Sequence, residues 1–110
     1  MGLENPNVVD AVGIEMGSGK VVLTIADSWD WANEGAHLLA LQAKLNGYFD
    51  FVEDGQILSS YPAAAGRSVV IDLVSRFPPP VAAIELLRRA REVAASLTIE
   101  IRQITYTGRA

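Results

Sequence analysis

Residues 20–55 read KVVLTIADSWDWANEGAHLLALQAKLNGYFDFVEDG, and they contain one strand, one break and one helix in succession. Val21, Leu23 and Ile25 alternate with Val22, Thr24 and Ala26, which predicts a strand with one wholly apolar side and one mixed side. Residues 27–31 (DSWDW) end that alternation. Ser28 or Asp30 is placed to cap a helix, because a short side-chain oxygen accepts from the free N–H groups of a first turn. The helix is expected over about residues 32–52, where Leu38, Leu41, Leu45, Tyr48, Phe49 and Val52 form a stripe of core-facing residues. Gly55 then supplies the left-handed residue that helix C-termini favour.

Working outward, residues 8–15 (VVDAVGIE) form a second apolar run, joined to the first strand through Met16, Gly17, Ser18 and Gly19. Two such runs about a glycine-rich turn predict a hairpin. Ile57, Leu58 and Tyr61 add one further helical turn before Pro62 stops it. Residues 68–75 (SVVIDLVS) read as a strand, residues 76–80 (RFPPP) as a stiff connection, and residues 81–97 as a second main helix. On that helix Ala82, Leu86, Ala90, Val93 and Leu97 are expected to face inward. Residues 98–106 close the chain with a fourth strand, while residues 1–7 and 107–110 are expected to fray. The order is ββαβαβ. Right-handed crossovers place both helices on one face of a mixed four-stranded sheet, an α+β two-layer sandwich made from residues 1–110 as a single domain.

The composition narrows the functional classes. The chain has 110 residues, half of them apolar, enough for one self-supporting core. It has no cysteine, which removes disulfides, thiolate nucleophiles and Cys-type zinc sites and suits a reducing cytoplasm. The N-terminus lacks the pattern of a signal peptide, and no apolar run approaches the roughly 20 residues a membrane span needs. Gly2 is not followed by the Ser or Thr of a myristoylation motif. A net charge of −4 argues against nucleic acid as a general partner. That charge is polarised: residues 1–55 hold nine acids against two lysines, and residues 56–110 hold seven arginines against four acids. Either the halves attract each other within one fold, or a polarised surface serves docking.

Candidate chemistry gathers at the strand-to-helix junction. The GSGK of residues 17–20 is a hairpin turn rather than a phosphate loop, since Ile14 stands where that loop needs glycine and Val21 where it needs Ser or Thr. His37, the only histidine, lies with Asp27, Asp30, Glu34 and Trp31 in what reads as a candidate ligand-binding cluster. A metal would need three or four ligands from strand end and helix start together, and no metal, cofactor or catalytic set is assigned. The alternative is a boundary histidine reaching Glu34, whose replacement by Gln would cost below about 1 kcal/mol. Trp29 and Trp31 read as hydrophobic lids. Asp50, Glu53 and Asp54 crowd the C-terminal end of the helix, where the helix dipole disfavours them, so Arg67 is expected to offset them. On the back of the helix Ala36, Ala40, Ala43 and Gly47 form a strip of small side chains with Leu39 beside it. Such a strip either packs under the 55–66 loop or forms a subunit contact. The outer sheet face mixes Val22, Val70, Val74, Ile104 and Tyr106 with Thr24, Asp72, Glu100 and Arg102.

The run LTIADSWDW at residues 23–31, then His37-Leu38, then Leu41-Gln42-x-Lys44-Leu45-Asn46-x-Tyr48, carries a resemblance. With Gly55-Gln56, Tyr61-Pro62 and Gly66-Arg67, it resembles a small family of uncharacterised bacterial proteins, a domain of unknown function. The match covers roughly residues 8–80, and Trp29 departs from it where the family pattern has a polar residue before the DW. The resemblance implies a stand-alone bacterial cytoplasmic domain and carries no activity or cofactor with it. Function therefore stands between three expectations. The first is a non-enzymatic binding or regulatory module acting as a homodimer or with a protein partner, without nucleic acid or membrane. The second is a small-molecule- or metal-binding domain or simple hydrolase at the junction. The third is an immunity-type protein.

Overall fold

The computed structural model describes residues 2–106. β1 (Ala11–Ile14) and β2 (Val21–Asp27) form the expected antiparallel hairpin. Its turn closes through Glu15 N–H to Lys20 C=O at 2.8 Å and Gly19 N–H to Glu15 C=O at 2.9 Å, with Gly17 and Gly19 at positive φ. β3 (Val69–Ser75) runs parallel to β2, and β4 (Ile99–Thr105) parallel to β3, so the sheet order is β1-β2-β3-β4. Both crossovers are helical and step in the same direction along the sheet, so both helices lie on one face, as the handedness of parallel connections requires. α1 (Glu34–Glu53) and α3 (Val81–Ser96) make that second layer, and α2 (Gln56–Ser60) adds the short turn expected before Pro62. The fold is α+β with a mixed four-stranded sheet.

The core lies between the layers. Val21, Leu23 and Ile25 of β2, Ile71 and Leu73 of β3, and Ile99 and Ile101 of β4 pack under Leu41, Leu45, Tyr48 and Phe49 of α1 and Leu87 and Ala94 of α3. On the open face an ion-pair lattice crosses the middle of the sheet. Arg102 holds Asp72 through both carboxylate oxygens at 2.6 and 2.9 Å and reaches Glu15 at 3.0 Å. The mixed composition of that face is thus explained at its centre, where opposite charges are neighbours in register.

Three expectations need correction. The N-terminal segment does not fray: Leu3 is 2% exposed and belongs to the core. Residues 107–110 lie outside the described residues. α1 is capped by Asn33, whose Oδ1 accepts the Ala36 N–H at 3.2 Å, while the Asp30 carboxylate closes a tighter turn onto Ala32 N–H. α3 is rotated from the expected phase: it buries Ala83, Leu87, Ala90 and Ala94 and leaves Val93 half exposed. Its apolar arc spans Ala82, Ala83, Leu86, Leu87 and Val93, wide enough to fit either phase, and the small side chains allow the closer approach to the sheet.

Candidate functional site

Asp27 is the last residue of β2 and continues the inward phase of Leu23 and Ile25, so its carboxylate points under the start of α1. His37 lies one turn into α1 on the inward side, and its Nε2 meets Asp27 Oδ2 at 2.6 Å. Its Nδ1 faces the Asp30 carbonyl at 2.9 Å. A carbonyl only accepts, so Nδ1 carries a proton and Nε2 shares one with the carboxylate. The other Asp27 oxygen accepts the Trp29 N–H at 3.1 Å and holds the loop in place. Trp31 stacks on the imidazole, with ring centroids 3.5 Å apart and planes 12° apart, and Trp29 tilts against it at 5.5 Å.

The arrangement is closed. His37 is 1% exposed, both of its nitrogens are engaged and one ring face is covered. A general base must reach the proton it removes, and a metal ligand needs a free lone pair; this ring offers neither. The junction therefore joins Asp27, Trp31 and His37, includes Asp30 through its backbone carbonyl only, and leaves Glu34 exposed at the helix surface. The expected His37–Glu34 contact is replaced by the pair with Asp27. Among the described residues no group of three or more His, Asp or Glu is arranged to hold a metal ion. Trp29 matters more than its departure from the family pattern suggests, since its Nε1–H reaches Glu4 at 3.3 Å and ties down the N-terminal segment. One polar atom is left over: Trp31 Nε1 is buried with no partner among the described residues.

A second buried network lies two turns further along α1, and sequence reasoning missed it. Lys44 is 0% exposed, and its ammonium donates to the Asn5 carbonyl at 2.8 Å, the Val8 carbonyl at 2.6 Å and Asp10 Oδ1 at 2.9 Å. Those three acceptors use all its protons. Asp10 also accepts Gly2 N–H and Ala26 N–H, each at 2.9 Å. Burial pushes the Asp10 carboxyl up, but the Ala26 N–H, the Lys44 ammonium and the Gly2 N–H together outweigh it and hold it below its ordinary value. Tyr48 accepts the Asp10 N–H at 2.8 Å and donates to the Thr24 carbonyl at 2.5 Å. Burial is the main cause that pushes its phenol up to about 12, so it stays protonated. The signal was present: Lys44 is a cation in the phase of His37, Leu41 and Tyr48, which all face the core.

The remaining candidates are placed as follows. Gly47 lies against the N-terminal segment, where an added Cβ would collide with the Pro6 carbonyl, so this end of the small-residue strip serves the chain's own arm rather than the 55–66 loop. Ala36 and Ala43 are exposed, Ala40 is part-buried and Leu39 is 69% exposed. Arg67 does not approach the end of α1; it binds the Ala63 carbonyl at 3.0 Å and the Gly19 carbonyl at 2.9 Å. Asp54 is engaged locally by Gln56, and Asp50 and Glu53 have no cation within ion-pair distance among the described residues.

The chain belongs to a family of unknown function, DUF6572, whose profile matches residues 1–107. No curated protein matches it, and no solved structure does.

Proposed function

We propose that this chain is a non-enzymatic interaction module that pairs with a second copy of itself through its helix layer, in the bacterial cytoplasm that its cysteine-free composition suits. The observation that carries this reading is the groove between α1 and α3. Its apolar walls are Leu38, Leu45, Phe49, Leu86 and Ala90, in two joined concavities of about 300 and 210 Å³. Leu39 on one rim is 69% exposed and Val93 on the other is 50% exposed. Charge complementarity supports a second copy as the occupant. Asp50 and Glu53 on α1 are left without cations, while Arg89 stands on the α3 wall with only a 3.6 Å contact to Glu85. Only two ion pairs, Glu15–Arg102 and Lys20–Glu100, join the acidic and basic halves among the described residues, so the polarity remains on the surface. A two-fold contact sets α1 of one copy against α3 of the other and satisfies both at once.

The rival reading, a hydrolase or metal site at the junction, has its histidine sealed and doubly bonded. Among the described residues no helix is long and apolar enough to cross a membrane. The test is molecular mass measured by sedimentation velocity on wild type, Leu39→Glu, Arg89→Glu and the double variant Asp50→Arg with Arg89→Glu. Wild type is expected as a dimer, both single variants as monomers, and the charge exchange as a dimer again. Wild type that stays monomeric at high concentration sinks the proposal.

A further inference from the structure

The three parallel strands end at one concavity, on the opposite side of the sheet from the helix groove. Ser28 follows β2, Arg76 follows β3 and Tyr106 follows β4, and all three line a space of about 420 Å³ floored by Ala26 and Val74. We infer that this space is a binding site for a small organic anion with a flat apolar body, held by its carboxylate on Arg76 and by its body between Val74 and Tyr106. The site is independent of the self-association proposed above.

Location, chemistry and rigidity point the same way. Open sheets with parallel strands bind ligands outside the carboxyl ends of those strands, because the loops that leave them can each bring one side chain to a common point. Here the residue at or next to the end of each of the three strands does so. The volume falls within the few hundred Å³ typical of small-molecule sites. The floor is aliphatic, and the Tyr106 ring is half exposed, so a planar apolar body has a surface to lie on. The Arg76 guanidinium makes no hydrogen bond or ion pair among the described residues, and neither does the Ser28 hydroxyl. A guanidinium fork matches a carboxylate with two parallel hydrogen bonds, and a hydroxyl beside it supplies a further donor. Asp27 does not compete for the cation, since its oxygens are committed to His37 and to the Trp29 N–H.

The rim is held before any ligand arrives. Arg76 N–H donates to the Asp27 carbonyl at 2.8 Å, and Tyr106 N–H to the Ser75 carbonyl at 2.6 Å, so the ladder continues one residue past the strand ends. The Arg76 guanidinium lies 5.5 Å from the centre of the Phe77 ring. Pro78, Pro79 and Pro80 follow and restrict the loop that carries both residues. A preformed rim reduces the ordering cost of binding.

The experiment is a titration of the ¹⁵N-labelled full chain with benzoate, followed by amide chemical shifts. Saturable shifts confined to Ser28, Arg76, Phe77 and Tyr106 are expected, with affinity falling about tenfold or more in Arg76→Gln, as the loss of a bidentate charged contact implies. Arg76 is exposed, so the variant is expected to give an otherwise unchanged spectrum; Arg76→Lys, which keeps the charge without the fork, should bind between the two. Benzamide, neutral and of the same shape, should bind at least about tenfold more weakly than benzoate. Leu39→Glu should bind as wild type does. The proposal is overturned by an absence of saturable shifts, by equal affinity of wild type and Arg76→Gln, by equal affinity for benzamide, or by shifts that map to the helix groove.

Discussion

Two buried ion pairs sit one above the other on the inner side of α1, and they are built differently. Lys44 with Asp10 is fully accounted for: every ammonium proton has an acceptor, and the carboxylate accepts from two backbone N–H groups besides. His37 with Asp27 is equally dry but is enclosed by aromatic rings, one of which leaves its own N–H without a partner among the described residues. The first network connects four parts of the chain, the N-terminal arm, the entry to β1, the middle of β2 and α1, so its removal affects the whole fold. The second fastens one loop to one helix start. A buried pair is thus not in itself a sign of chemistry; what its remaining lone pairs and protons are doing decides that.

The largest expected effect comes from breaking the first network. Lys44→Met leaves the Asp10 carboxylate buried without its cation and should cost about 3–5 kcal/mol, read as the loss of denaturant midpoint in a urea titration. Amide exchange should then open first in the N-terminal arm. Retention of wild-type stability would mean that the Lys44 contacts are not what holds the arm. His37→Gln should cost less, about 2–3 kcal/mol, because Gln can keep one hydrogen bond while the carboxylate loses its charged partner. That exceeds the cost expected of a boundary residue, and a loss below about 1 kcal/mol would restore the boundary reading.

Acid should act on the first pair through Asp10. The Asp10 carboxyl is held below its ordinary value near 3.8 in the folded chain, so it contributes stability above that value. That contribution is lost as pH falls below about 4 and through the folded value. In Asp10→Asn this part of the acid dependence should vanish from melting curves recorded between neutral pH and pH 3; an unchanged acid limb contradicts the assignment. The smallest effect belongs to Trp31→Phe, which keeps the stack on His37 and removes the unmet N–H. Stability should change by less than about 1 kcal/mol, in either direction. A loss of several kcal/mol would show that Trp31 Nε1 has an acceptor on which the junction depends.

The layout of the sheet and both main helices was legible because alternation in residues 21–26, the stripe from Leu38 to Phe49 and the proline block after Phe77 are local signals. The N-terminal arm was not, because what orders it is non-local: Leu3 joins the common core, and the carbonyls of Asn5 and Val8 find Lys44 on α1, 39 and 36 positions away. The junction was located correctly, yet the partner of His37 was misassigned. Glu34 is near in sequence, whereas Asp27 comes close only when β2 and α1 pack. Arg67 failed for a related reason: charge at a helix end argues for compensation somewhere, but the loop after α2 carries Arg67 to the hairpin turn instead. The phase of α3 was ambiguous because alanines on adjacent faces give no contrast. Lys44 was readable as an inward cation and went unread.

The claim that most needs testing is that the working surface is the helix layer rather than the junction. Isotope-filtered nuclear Overhauser spectra on a mixture of ¹³C-labelled and unlabelled chains address it directly, because they see only contacts between copies. Intermolecular cross-peaks are expected from the methyl groups of Leu39 and Val93 to the facing groove, and should be absent in Leu39→Glu. Cross-peaks arising from the edge of β1 or β4 instead, or none at concentrations where wild type is well folded, would contradict it.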